Sequence, residues 1–160
     1  MLHDFELAGR RVRLWQRTGE SYEHVLMKAL GYAMFVEEFP VLEIERRVGL
    51  RYKPDLVARG SSSSGNNGFE YSFAFWGECG QNSVRKTNWL LKHAGVGRLV
   101  LFKIIANPSA LVAELRAVVD ARYREPERLI VINFAGDIAE RTRERRIAHV
   151  AESWYTKTIV

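Results

Sequence analysis

Cysteine is almost missing from this 160-residue chain, which holds one, Cys79. That excludes a disulfide framework and a thiolate-rich zinc site, and it suits a reducing compartment. No apolar run approaches the ~20 residues that a membrane-crossing helix needs. The N-terminal stretch MLHDFELAGRRVR carries acidic residues and has no apolar core, so neither a signal peptide nor a membrane partner is expected, and the expected location is cytoplasmic. Glycine-rich phosphate loops of the P-loop or dinucleotide type are lacking, which argues against an NTPase or a nicotinamide enzyme. His3, His24, His93 and His149 are dispersed, with no i, i+4 pair and no cysteine partners, which argues against zinc. No Ser-His-Asp arrangement is indicated by spacing.

What is present is a globular composition. Hydrophobic residues make up 47% and charged residues 27% of the chain, which excludes disorder as a global description. The length fits one domain, residues 1–160, able to bury a core without staples. The formal net charge is +5, from 24 Lys and Arg against 19 Asp and Glu. Residues 51–103 carry 8 basic and 3 acidic side chains, while the flanking segments are close to neutral. A basic chain permits an anionic partner without showing one; the concentration of charge makes the middle third the place to look.

Periodicity predicts a first strand over Leu7–Trp15 and a helix from Glu20 to Val36, whose Tyr22, Leu26, Ala29, Leu30 and Ala33 share one face. Pro40 stops it. Two strand-like runs follow, Val41–Glu45 and Leu50–Ala58. The segment GSSSSGNNG at residues 60–68 reads as a flexible turn, and the alternating FEYSFAFWGECG as the second arm of a hairpin. Asn82 or Ser83 caps a helix to His93. Leu99 opens a strand buried on both faces. A helix from Pro108 to Arg122, a strand over Leu129–Phe134, a short helix over Ile138–Arg146 and a strand over His149–Tyr155 complete an α/β order.

Three carboxylates sit where surface chemistry does not call for them. Asp55 follows Pro54 in a strand, where Asp has poor propensity. Glu78 ends the aromatic strand. Glu23 shares its helix sector with Met27, Leu30 and Met34, with Glu20 at the edge of that sector. Two strand carboxylates and a helix carboxylate can converge on one hard cation such as Mg2+. Such an ion can activate water and neutralise charge on a phosphodiester. Lys86, one turn into the next helix, faces Trp89 and Leu90 and is the best cation for that chemistry. Plainer readings stand beside these: favourable helix-end charge for Glu20 and Glu23, a local ion pair for Asp55 with Arg51 or Lys53, a solvated strand end for Glu78, snorkelling over Trp89 for Lys86. Cys79 alternates away from Glu78 and reads as a buried structural thiol, His24 as a rim residue, and RTRERR at Arg141–Arg146 as a solvated helix face with a secondary nucleic-acid contact open.

The PD of RYKPDLVA, a hairpin, and the Glu of FWGECG followed by a helix resemble the core of the PD-(D/E)xK nuclease superfamily. The segments GESYEHVLMKALGYAMF and FWGECGQ, with the RK-containing helix behind them, resemble the YaeQ family within it. The resemblance implies a restriction-endonuclease-like α-β-β-β-α-β core, a mixed sheet flanked by helices, with a C-terminal α/β extension. It implies hydrolysis of DNA or RNA phosphodiester bonds with Mg2+ or Mn2+ held by Asp55, Glu78 and Glu20, with Glu23, Asp55, Glu78 and Lys86 catalytic. The motif's lysine, two residues after Glu78, is Gly80 in this chain; in some superfamily members the next helix supplies it, which points to Lys86. The alternative implied by Gly80 is a nuclease fold that binds nucleic acid or a protein partner without turnover. A third reading is an interaction protein whose residues 60–68 order on contact.

Overall fold

The computed structural model describes residues 1–60 and 71–160. Most of the turn expected at 60–68, and Phe69 and Glu70 of the aromatic strand, lie outside the described residues.

The chain opens with a hairpin, β1 (Leu2–Leu7) and β2 (Arg10–Trp15), rather than the single strand expected over Leu7–Trp15. The two-residue turn between them holds Ala8 and Gly9 at φ +49° and +77°, the left-handed pair that a tight hairpin needs. Asp4 and Glu6, cross-strand from Arg13 and Arg11, balance the arginines of β2. Helix α1 (Tyr22–Phe35) begins after Ser21, whose hydroxyl accepts from the His24 N–H. Short strand β3 (Glu43–Ile44) and strand β4 (Leu56–Arg59) follow; the expected strand over Leu50–Ala58 forms only in its second half, after Pro54. Then come β5 (Phe73–Cys79), α2 (Val84–His93), β6 (Leu99–Lys103), α3 (Pro108–Val118), α4 (Ala121–Arg124), β7 (Leu129–Phe134) and α5 (Ile138–Arg141). The helix expected to Arg122 is thus split by Asp120, which caps α4. The helix expected to Arg146 is a single turn followed by β8 (Arg146–Ile147), and the last strand is β9 (Tyr155–Ile159), after a 3-10 turn over Glu152–Trp154.

Two mixed sheets result. One has the order β2-β1-β8 and the other β3-β4-β5-β6-β7-β9. In the larger sheet β5, β6 and β7 run parallel, joined by α2 and by α3–α4, as parallel strands require crossover connections. All seven residues of β5 and all five of β6 are buried, so both faces of the sheet are covered. Alternation sorts them. Phe75, Val100, Phe102, Ile130 and Ile132 pack toward α1 and the small sheet, while Trp76, Leu99, Leu101 and Val131 pack toward α2 and α3. Helix α1 lies close against the sheet at Gly31, where a Cβ would stand 2.6 Å from Leu56 and 2.9 Å from Phe102. That contact fixes how near the polar start of α1 comes to the ends of β4 and β5. No helix of the described residues is long and apolar enough to cross a membrane.

Candidate functional site

The N-terminal turn of α1, the start of β4, the ends of β5 and β6 and the start of α2 meet at one end of the central strands of the large sheet. Register does the placing. Leu56 of β4 pairs with Gly77 of β5, so Asp55 and Glu78 stand one residue further along each strand, next to each other. Pro54 keeps the chain extended into Asp55, whose N–H donates to the Gly77 carbonyl.

The two carboxylates have different surroundings. Asp55 accepts from the Cys79 N–H at 2.8 Å and lies 3.3 Å from His24 Nε2. Burial pushes its carboxyl up, but the His24 hydrogen bond, the Cys79 N–H and the charges of His24 and Lys28 together hold it below the usual carboxylate value. Glu78 is 3% exposed. It accepts from Trp76 Nε1 and from Lys86 Nζ, both at 2.7 Å. Burial still holds its carboxyl above the usual value, aided by the negative charge of Asp55 and opposed by Lys86 and Trp76. Two adjacent carboxylates that repel each other, one of them short of compensation, form an oxygen donor set suited to a hard divalent cation. Among the described residues, no group of three or more His, Cys, Asp or Glu side chains is arranged to hold a metal ion.

Lys86 lies where the expectation put it, in the first turn of α2, after the Ser83 cap, with its ammonium on Glu78 and 5.0 Å from the Tyr52 ring. Asn82 adds a donor: with its amide turned nitrogen-inward it reaches Glu78 Oε2 at 3.2 Å. Glu20 bonds Lys28 Nζ at 2.6 Å and stands 3.6 Å from His24 Nε2. Burial raises its carboxyl, but the Arg17 N–H, Lys28 and His24 outweigh that and lower it. Glu23 is exposed, on the wall of the adjoining cavity. The structure therefore brings Asp55, Glu78 and Lys86 together, links Glu20 to Asp55 only through His24, and leaves Glu23 at the mouth.

Three further residues belong to the site and were not singled out by the sequence. His24, read as a rim residue, sits between Asp55 and Glu20. Lys28 is fully buried, bridging Glu20 and Glu45 at 2.6 and 3.1 Å; burial lowers its ammonium, and the two carboxylates more than restore it. Lys103, the last residue of β6, donates to the Gly80 carbonyl. Of these, Lys28 and Lys103 left a signal, one a charge among the apolar positions of α1 and the other the single charge in the apolar run LVLFKII. Cys79 is buried, and burial pushes its thiol well above the usual value, as expected of a structural thiol.

A cavity of about 950 Å³ opens beside this cluster, walled by Glu20, Glu23, His24, Gln81, Asn82 and Lys103. His24 and Asn82 form the part of its wall that touches Asp55 and Glu78.

No protein-family model and no curated protein sequence matches the chain. Solved structures do. The crystal structure of the YaeQ protein from Xanthomonas axonopodis pv. citri superposes with a TM-score of 0.60 at 16% identity, covering 99% of this chain and 93% of that one. The YaeQ protein from Pseudomonas syringae gives a TM-score of 0.60 at 13% identity, over 96% and 89% of the two chains. This chain therefore has the mixed α/β fold of the YaeQ proteins.

Proposed function

We propose that this chain is a YaeQ-like member of the PD-(D/E)xK superfamily and a metal-dependent nuclease. The observation that supports it most is the Asp55–Glu78 pair at the ends of β4 and β5, with a lysine on Glu78 and a polar cavity alongside. Asp55 and Glu78 would hold Mg2+ or Mn2+, with Glu20 the nearest further carboxylate through its contact with His24. When bound, that ion supplies Lewis acidity and an activated water.

The chain's own groups do the remaining work. The Cys79 N–H and His24 orient the Asp55 carboxylate, and Trp76 Nε1 fixes the Glu78 carboxylate by one oxygen. Lys86 neutralises the other Glu78 oxygen and would supply positive charge beside a phosphate held at that pair. Glu23 stands at the entrance, where it can only assist. Nucleic acid is the partner this reading requires, and a cytoplasmic protein is the setting it suits.

A second reading has its own support. Both carboxylates already have partners inside the protein, and Gly80 replaces the motif lysine. A module that binds nucleic acid or a protein without turnover would keep this arrangement. Cleavage of labelled DNA and RNA separates the two. A nuclease cuts in Mg2+ or Mn2+, stops in EDTA, and loses at least a hundredfold in rate in Asp55→Asn and in Glu78→Gln, as expected when a preorganised charge is removed from such a site. No cutting by the unaltered protein, or cutting that survives both substitutions, excludes this site as a nuclease.

A further inference from the structure

Lys103 is 6% exposed. Among the described residues its ammonium meets the Gly80 carbonyl and no carboxylate within ion-pairing distance. Burying a lysine without an opposite charge is unfavourable unless something else uses the charge. Lys28 and Lys86, the lysines that contact the carboxylates of this cluster, are each paired: Lys28 with two and Lys86 with one.

The register explains where Lys103 lies. Strands β5 and β6 are parallel, with Glu78 opposite Leu101 and Cys79 opposite Phe102, so Lys103 comes next to Gly80. Leu101 and Lys103 share one face of β6, which is the face that Glu78 takes on β5. A cation two residues beyond Glu78, on the same face, is therefore present, one strand over.

Position 80 cannot supply it. Gly80 has φ +76°, which turns it out of the strand alternation, and a Cβ there would stand 3.2 Å from His24 Nδ1. Lys86 is committed to Glu78 and does not line the cavity, whereas Lys103 does. Burial, with the positive charge of Lys86, lowers the Lys103 ammonium's hold on its proton, against partial support from Glu78.

We propose that Lys103, carried by β6, is the cation that binds a phosphate of a nucleic acid lying in this cavity. It rests on the reading of the cavity as a nucleic-acid site, and requires neither the metal nor turnover.

Affinity for a fluorescein-labelled oligonucleotide, tested as DNA and as RNA over a salt series in Ca2+, reads the proposal. Lys103→Met should lower affinity about tenfold and reduce the slope of log K against log salt by about one phosphate's worth, and Lys103→Arg should restore most of both. Lys157→Met, which removes an equally positive side chain from exposed β9, controls for net charge and should change neither. The unaltered protein gives a readout independent of any variant's folding: the 13Cε resonance of Lys103, assigned with Lys103→Arg, should shift on adding oligonucleotide. An unchanged resonance, or a Lys103→Met slope equal to that of Lys157→Met, overturns the proposal, as does an unaltered protein that binds no oligonucleotide. Parallel cleavage in Mg2+ separates the claims. Binding through Lys103 without cutting would sink the nuclease reading alone, and full cutting by Lys103→Met would sink the Lys103 assignment alone.

Discussion

Lys28 shows at the residue scale what holds the site together. It is fully buried, and it draws Glu20 from the start of α1 and Glu45 from the end of β3 onto one ammonium. Removing the lysine leaves two partly buried carboxylates facing each other, and breaking a buried pair in this way costs about 3 kcal/mol. Lys28→Met should accordingly lower the urea-unfolding free energy by about 3 kcal/mol near neutral pH. Because the folded-state value of Lys28 is raised above the ordinary 10.5, this stabilisation is present in full below that value and is lost as pH rises through the folded one. The difference between the variant and the unaltered protein should therefore shrink above about pH 10.5, and a constant difference would contradict the ion-pair account. Asp55, Glu78 and Lys86 could be singled out in the sequence because each breaks a local rule: a strand Asp after Pro, a Glu ending an aromatic run, a Lys on a half-apolar face; Glu20 breaks none, since a Glu is favourable at a helix start. His24 breaks none, and Lys103 shows only as the single charge in the apolar run LVLFKII. Their roles come from contacts with residues far along the chain, Asp55 for His24 and Gly80 for Lys103, and only register brings those into reach.

Elements were readable in proportion to the strength of their own punctuation. Helix α2 starts at its Ser83 cap and ends at His93, and β7 runs from Leu129 to Phe134, both as the pattern predicts. The opening hairpin was missed because its turn is Ala8–Gly9, and an Ala at positive φ gives no turn signal. β9 was displaced because the charged segment before it spends its residues on a single helical turn, a two-residue strand and a 3-10 turn. The end of β5 is the element on which the proposed function turns. Gly80 closes that strand in the left-handed region, with His24 against it. Restoring the motif lysine by Gly80→Lys should fail: left-handed backbone costs an L-residue about 1–2 kcal/mol, and the new side chain would push on His24. Thermal melting should show the loss and cleavage should not rise. A stable variant with higher activity would show that Gly80, and not the geometry around it, is what withholds the lysine.

Over the whole molecule, the location of charge matters more than its amount. On the opening hairpin Arg11 and Arg13 of β2 face Glu6 and Asp4, with Arg13 and Asp4 2.9 Å apart, which leaves Arg10, opposite Leu7, as the one β2 arginine without a facing carboxylate. Of the basic side chains of residues 51–103, Lys86 and Lys103 lie at the cleft, whereas Arg59, Lys92 and Arg98 stand toward the opposite ends of β4, α2 and β6, Arg98 paired with Glu38. A carboxylate pair flanked by two lysines can hold a cation and attract a phosphate together. The α/β class and the sheet's central strands follow from alternation and the βαβ spacing; how the two sheets share α1 does not, because nothing local says which helix face meets which sheet. The central claim is that Asp55 and Glu78 form one divalent-metal site. Crystals of the protein soaked in Mn2+ and measured at the manganese absorption edge test it most directly. The account predicts an anomalous peak bridging Asp55 and Glu78, with Lys86 moved off the Glu78 carboxylate. No peak there at millimolar Mn2+, with the Asp55–His24 and Glu78–Lys86 contacts intact, would contradict it.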